Sequence, residues 1–93
     1  MKICVAIPTL NEEKNITNIF SKIKKNKIKL DILFIDDNSK DKSQELIKEL
    51  SKKFKNVNYI FRKKKVGIGS AHKEAIKYIY KNRYDLLIKM DAD

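Results

Sequence analysis

The 93-residue chain has no tryptophan, one cysteine, one proline, two glycines and one histidine. A lone cysteine excludes an internal disulfide and a thiolate-built zinc site, so Cys4, inside an apolar run, reads as a small buried hydrophobe of a reducing compartment. The scarcity of glycine and proline leaves no flexible linker, and there is no internal repeat and no low-complexity tract beyond lysine-rich runs. No segment approaches the roughly 20 apolar residues of a membrane span. Ile3 to Ile7 is too short for the core of a signal peptide and is closed by Pro8. These absences lead to the expectation of a soluble, cytoplasmic chain whose membrane contact, at a cytoplasmic face, is peripheral. Arginine, the residue that grips phosphate and guanine with two parallel bonds, occurs only at Arg62 and Arg83.

Lysine is what the chain has in excess. The formal charge is +10, from 22 Lys and Arg against 12 Asp and Glu. Ser51 to Lys65 holds seven basic residues and no acidic one, and Lys22 to Lys29 holds five more. Such runs suit nucleic acid, an anionic surface or a phosphorylated substrate, but a lysine-heavy solvated helix face is the commoner explanation. No aromatic-laced basic strand of the RNA-binding kind accompanies them, so no specific nucleic acid is expected. With 42% hydrophobic residues the chain is globular, one small domain or a piece of a larger one.

Taken in order, Ile3 to Ile7 is a continuous apolar run, the pattern of a strand buried on both faces. Asn11 is a candidate N-cap for a helix whose Ile16, Ile19, Phe20 and Ile23 share one face and which fades in Lys24 to Lys29. Leu30 to Ile35 is a second strand. Asp41 with Gln44 resembles a capping box for a helix with Leu46, Ile47, Leu50 and Phe54 on its apolar side. Val57 to Phe61 is a third strand, Arg62 to Val66 a basic loop, and Gly67 to Ser70 leads into a third helix with Ala71, Ala75, Ile76, Ile79 and Tyr80 on its apolar side. Leu86 to Met90 is the fourth strand. The order β-α-β-α-β-α-β predicts an α/β fold, a parallel sheet with helices on both faces. With strand order 3-2-1-4, ligands belong at the carboxyl ends of the strands, near the switch between strands one and four.

That edge collects acids. Glu12, Asp36, Asp37, Asp91 and Asp93 are five of the twelve acidic residues, and all follow strands in a chain that is otherwise basic. Gathered carboxylates repel unless a cation or hydrogen-bond donors join them. In an extended segment Asp91 and Asp93 project to the same side, so both could reach one divalent ion. Alone, Asp-x-Asp is a weak pattern, and Asp36-Asp37 alone could be a turn capping the next helix.

Four segments together resemble the family 2 glycosyltransferases, and among them the polyprenol (dolichol) phosphate mannose or glucose synthases: VAIPTLNEEKNI at Val5 to Ile16, ILFIDDNSKDKS at Ile32 to Ser43, RKKKVGIGSAHKEAI at Arg62 to Ile76, and YDLLIKMDAD at Tyr84 to Asp93. The resemblance implies the N-terminal part of a GT-A, Rossmann-like nucleotide-diphospho-sugar transferase fold, with residues 1–93 a nucleotide-sugar-binding subdomain truncated at its C-terminus. Pro8, Thr9, Asn11 and Glu12 match the first-strand loop that touches the nucleoside, and Asp36 and Asp37 match the pair of which one, Asp37 by preference, accepts bonds from base or ribose. Arg62, Gly67, Gly69 and Ala71 match the segment beside the donor. Asp91 and Asp93 match the metal-binding motif that holds the diphosphate through Mg²⁺ or Mn²⁺. The implied reaction is inverting transfer of a hexose from GDP-mannose or UDP-glucose to a polyprenyl or dolichyl phosphate. The acceptor half lies beyond these residues, so the chain alone is expected to be inactive.

Other readings remain at this point. A family 2 enzyme acting on a saccharide acceptor has the same motifs, and a basic surface-binding module explains the charge but not the strand-tip carboxylates. A dinucleotide-binding turn needs glycines where this chain has Pro8-Thr9-Leu10-Asn11, and a receiver-like fold needs acids there. A non-catalytic remnant would retain the motifs without the activity.

Overall fold

A computed structural model describes residues 1–63 and 68–92, with backbone alone at 68 and 69. The uninterrupted apolar runs form the strands β1 (Ile3–Thr9), β2 (Asp31–Asp36), β3 (Val57–Phe61) and β4 (Leu86–Lys89). The segments with helical periodicity form α1 (Glu13–Lys25), α2 (Ser43–Lys53) and α3 (Ile68–Lys81). The sheet is parallel throughout, in the order β3-β2-β1-β4. Both the alternation of elements and the strand order agree with expectation.

Register decides which side chains share a face. Val5 lies beside Ile32 and Ile32 beside Val57, while Ile7 lies beside Phe34. These pack with Ile16, Ile19, Phe20 and Ile23 of α1 and Ile47 of α2 into one core. The rings of Phe20 and Phe54, centroids 4.9 Å apart, close its outer side. On the opposite face Cys4, Ala6, Leu33 and Ile35 meet Ala71 and Ala75 of α3. Small residues from both partners let this helix approach the sheet closely.

Five local expectations need correction. Strand β1 does not stop at Pro8 but continues to Thr9. Thr9 accepts from the Asp37 N–H on the β2 side, and Ala6 accepts from Met90 on the β4 side. The intervening Pro8 therefore turns its nitrogen toward β4, past the last paired residue there, and no donor to β2 is lost. Asn11 is not the N-cap of α1; that position is Glu12, without a side-chain cap, and Asn11 precedes it in the left-handed region with φ 53°. Asp41 and Gln44 do not form a capping box: Asp41 bonds the N–H of Ser43, while the Gln44 amide turns to Asp36. On α3 the buried stripe runs through Ala71 and Ala75 with Tyr78 and Ile79 against it, leaving Ile76 52% and Tyr80 85% exposed. These two sit one position beyond Ala75 and Ile79, about 100° around the helix. Finally, Leu86 and Ile88 are exposed, because β4 is an edge strand and α1 and α2 pack over the β1-β2-β3 side of that face.

Candidate functional site

The carboxyl ends of β1, β2 and β3 carry a buried polar cluster built on Asp36. This carboxylate is 0% exposed. Its Oδ1 accepts from the hydroxyls of Thr9 and Ser39, each at 2.6 Å. Its Oδ2 accepts from the Ser39 N–H at 2.8 Å and the Gln44 amide at 2.9 Å. A carboxylate offers about four lone-pair sites, so Asp36 has no acceptor capacity left over. A buried charge is tolerated only when joined in this way.

Beside it, the loops after β1 and β2 are joined. The left-handed turn at Asn11 aims three consecutive backbone N–H groups at the second loop: Asn11 donates to Ser39 Oγ at 2.8 Å, Glu12 to Ser43 Oγ at 2.9 Å and Glu13 to Asp41 Oδ2 at 3.2 Å. In return, the Lys40 N–H donates to Asn11 Oδ1 at 2.9 Å. Asn38 also adopts positive φ, at 62°, a conformation asparagine tolerates better than most residues. The side chains of one loop thus cap the helix that begins in the other. Helix N-termini with open N–H groups hold phosphates in dinucleotide-binding folds; here these donors are already taken, which sets the site apart from that class. Burial acts upward on the Asp41 carboxyl, but bonds from the Ser43 hydroxyl and the N–H groups of Ser43 and Glu13 outweigh it and leave its pKa lowered.

Asp37 follows directly. Its N–H donates to Thr9 O, and its carboxylate pairs with Arg62 at 3.1 Å. The two side chains are 11% and 8% exposed, so the pair lies largely out of water, where Coulomb attraction is less screened. Arg62 also donates to Ser70 Oγ at 2.7 Å, and its N–H donates to Asp36 O. One guanidinium thereby ties the tips of β2 and β3 to the first turn of α3.

The other candidates fall around this cluster. Pro8 is half-buried at the end of β1, and Glu12 is half-buried, accepting from the Asn15 amide at 3.0 Å. Ala71 packs in the core beneath α3. Gly69 lies in the first turn of α3, and Gly67 is outside the described residues, as is Asp93. Past β4, the Met90 N–H donates to Ala6 O, and Met90 and Ala92 turn into the α1-α2 core. Asp91 between them is exposed. Among the described residues no group of three His, Cys, Asp or Glu could hold a metal. Asp91 does offer the hard oxygen donor that Mg²⁺ or Mn²⁺ prefers, just past the end of β4, the strand beside β1, which ends in Thr9.

Sequence reasoning missed Ser39, Ser43 and Gln44 as parts of the site. The signal was a run of short hydroxyl and amide side chains directly after a carboxylate pair, residues that prefer local backbone partners. Cys4 lies outside the cluster: burial, with Asp31 nearby, pushes its thiol up to about 11, which keeps it protonated and unreactive. No described helix is long and apolar enough to cross a membrane.

Comparison with known proteins identifies the family and the fold. A family model described as Glycosyl transferase family 2 matches residues 4–93. The dolichol-phosphate mannosyltransferase of Pyrococcus furiosus is 37% identical over 95 aligned positions, covering 100% of this chain and 26% of that protein. An uncharacterized protein of Methanocaldococcus jannaschii is 35% identical over 94% of this chain and 38% of its own length. The chain thus spans well under half of these relatives. Among solved structures, S. aureus TarS in complex with UDP-GlcNAc superposes with a TM-score of 0.82 at 23% identity, over 100% of this chain and 27% of that one. A mannosyltransferase from Pyrobaculum calidifontis, in complex with GDP-Man and Mn²⁺, gives 0.81 at 17% identity, over 98% and 27%. The fold of the chain is that of the GT-A glycosyltransferases.

Proposed function

The chain belongs to the family 2 glycosyltransferases, and from that premise we propose that it supplies the nucleotide-sugar-binding part of an inverting enzyme that transfers a hexose, mannose from GDP-mannose in the first instance, to a polyprenyl phosphate. The observation that carries this reading is the meeting of Thr9, Asp36, Asp37 and Arg62 at adjoining strand tips, joined by bonds of 2.6 to 3.1 Å. Relatives named for polyprenol, dolichol and undecaprenyl phosphate support the acceptor class.

In this reading Asp37, held by Arg62, accepts from the base or ribose, and the loop from Pro8 to Glu12 forms the adjoining wall. Arg62, Gly67 and Gly69 are assigned to the segment that binds the donor. Asp91 and Asp93 would hold a divalent cation, which when bound supplies charge neutralisation to the departing diphosphate. A lipid phosphate is anionic at neutral pH, so no general base is required of these residues. The acceptor site is assigned to the greater part of the relatives' length that these residues do not span, and with it the prediction that the 93 residues bind donor without transferring sugar.

Calorimetry with GDP-mannose and with UDP-glucose, each with and without Mn²⁺, tests the proposal. GDP-mannose should bind more tightly in the presence of the metal. Asp91→Ala should abolish the metal effect, and Asp37→Ala should weaken binding under both conditions. Binding of neither sugar nucleotide, or binding indifferent to both substitutions, rules the proposal out.

A further inference from the structure

Asp36 and Asp37 are adjacent carboxylates at one strand tip, yet they are built for different work. Asp37 is ion-paired at the rim of the cluster, whereas both oxygens of Asp36 are saturated by Thr9, Ser39 and Gln44 and the residue is 0% exposed. A ligand hydroxyl could reach Asp36 only by displacing one of these partners. The Ser39 hydroxyl has two roles: it donates to Asp36 Oδ1 at 2.6 Å and accepts from the Asn11 N–H at 2.8 Å. A hydroxyl has one proton and two lone pairs, so both bonds form together and each polarises the other.

We propose that Asp36 and Ser39 are positioning residues of the donor site: without touching the nucleotide, they lock the loop after β1 to the loop after β2, so that Asn11, Glu12 and Asp37 reach it as one preformed wall. The inference rests on the donor-binding reading and extends it by assigning a role to residues that do not face the ligand. The physical need lies at Asn11. Its φ of 53° is a conformation that most residues avoid, and it persists because its N–H and Oδ1 are both bonded to the neighbouring loop. Without Ser39 Oγ the Asn11 N–H loses its acceptor, and the turn that begins α1 can relax toward ordinary backbone. The ligand-facing wall then has to be ordered upon binding, which weakens affinity without removing any contact to the ligand.

The test combines amide hydrogen exchange by NMR with titration of GDP-mannose and Mn²⁺, on the unaltered chain, Ser39→Ala and Ser39→Thr. In Ser39→Ala the Asn11 and Glu12 amides should exchange at least tenfold faster, while that of Ile47, in the middle of α2, keeps its rate. Affinity for GDP-mannose should fall about tenfold. Ser39→Thr keeps the hydroxyl and should recover both. Should threonine not fit, Ser43→Ala, which removes the hydroxyl that accepts from the Glu12 N–H at a residue that is 0% exposed and faces no ligand, should speed Glu12 exchange and reproduce the loss of affinity. Weaker binding with unchanged exchange at Asn11 overturns the proposal, because Ser39 would then act by direct contact. Faster exchange with unchanged affinity overturns it as well, because the clasp would exist without positioning anything. If the unaltered chain binds neither GDP-mannose nor UDP-glucose, the donor-binding reading fails and the positioning role with it; exchange then reports only whether the clasp is present.

Discussion

Replacing Asp36 by alanine and by asparagine should produce two very different losses of stability. Alanine removes the acceptor of four donors at once: the hydroxyls of Thr9 and Ser39, the Ser39 N–H and the Gln44 amide. The hydroxyls can rotate to other partners, but the Ser39 N–H is fixed by the backbone and the site is buried. An unsatisfied buried donor costs about 1–3 kcal/mol, and breaking a buried charged network costs about 3–5 kcal/mol. Asp36→Ala should therefore lose about 3–5 kcal/mol, a large share of the roughly 5–15 kcal/mol that holds a small domain together. Asparagine can be accommodated. With its oxygen toward the two nitrogen donors, its NH₂ faces the two hydroxyls, and hydroxyls can accept as well as donate. Only the hydroxyl protons then need new partners, and the loss should be about 1–2 kcal/mol. Urea unfolding followed by far-ultraviolet circular dichroism measures both, and at a slope of about 1 kcal/mol per molar the midpoints should differ by more than about 1 M. Equal losses for the two variants, or a loss below about 1 kcal/mol for alanine, would refute the account of Asp36 as a saturated hub.

Three further outcomes are expected. Arg83 ends α3 in the left-handed region at φ 57°, with the N–H of Tyr84 returning to Ile79 O, so Arg83→Gly should stabilise the chain by about 0.5–1 kcal/mol, read as a rise in Tm of a few degrees. Tyr84 donates to Asp31 at 2.6 Å, and burial, followed by that bond, raises its pKa, so its contribution is complete below the ordinary tyrosine pKa near 10 and is lost as pH rises above it. Tyr84→Phe should accordingly lose less stability than the unaltered chain between pH 9 and pH 12, and an identical alkaline slope would contradict this. Asp41 has a lowered pKa, so its contribution is present above the ordinary value of 3.8 and is lost as pH falls through the depressed one; Asp41→Asn should flatten the acid limb of the stability curve, compared at equal urea.

The order of elements and the core on the α1-α2 face were legible because apolar runs and 3.6-residue periodicity are properties of the local chain. Val5, Ile7, Ile16, Ile19, Phe20, Ile23, Ile32 and Phe34 all lie in the core that their spacing indicates. The third helix was harder, because an isolated stretch containing Ala71, Ala75, Ile76, Ile79 and Tyr80 has two plausible apolar sides. Small residues against Cys4 and Ala6 prevail over larger ones because the helix lies close to the sheet. In the site, the acidic positions stood out, since carboxylates after apolar strands are conspicuous in a basic chain. The clasp did not, because it joins positions about 28 residues apart, such as Asn11 with Ser39, and sequence carries no sign of such pairings. The same limit explains the misread caps: Asn11 and Asp41 have the right chemistry for capping their own helices, but tertiary partners draw Asn11 to Ser39 and Lys40, and Asp41 in part to Glu13.

The central position of β1 imposes an order on folding. Its pairing with β2 joins residues 27 apart, as between Thr9 and Asp36, whereas its other side is closed by β4 through groups 83 apart, as between Lys2 and Asp85. Loop-closure entropy makes the second event costlier by about 1 kcal/mol. Strand β1 should thus spend the early part of folding with one flank open, shielded on the other by β2. Pulse-labelled hydrogen exchange during refolding would show this as protection of β2 amides ahead of those in β4, and the reverse order would contradict it.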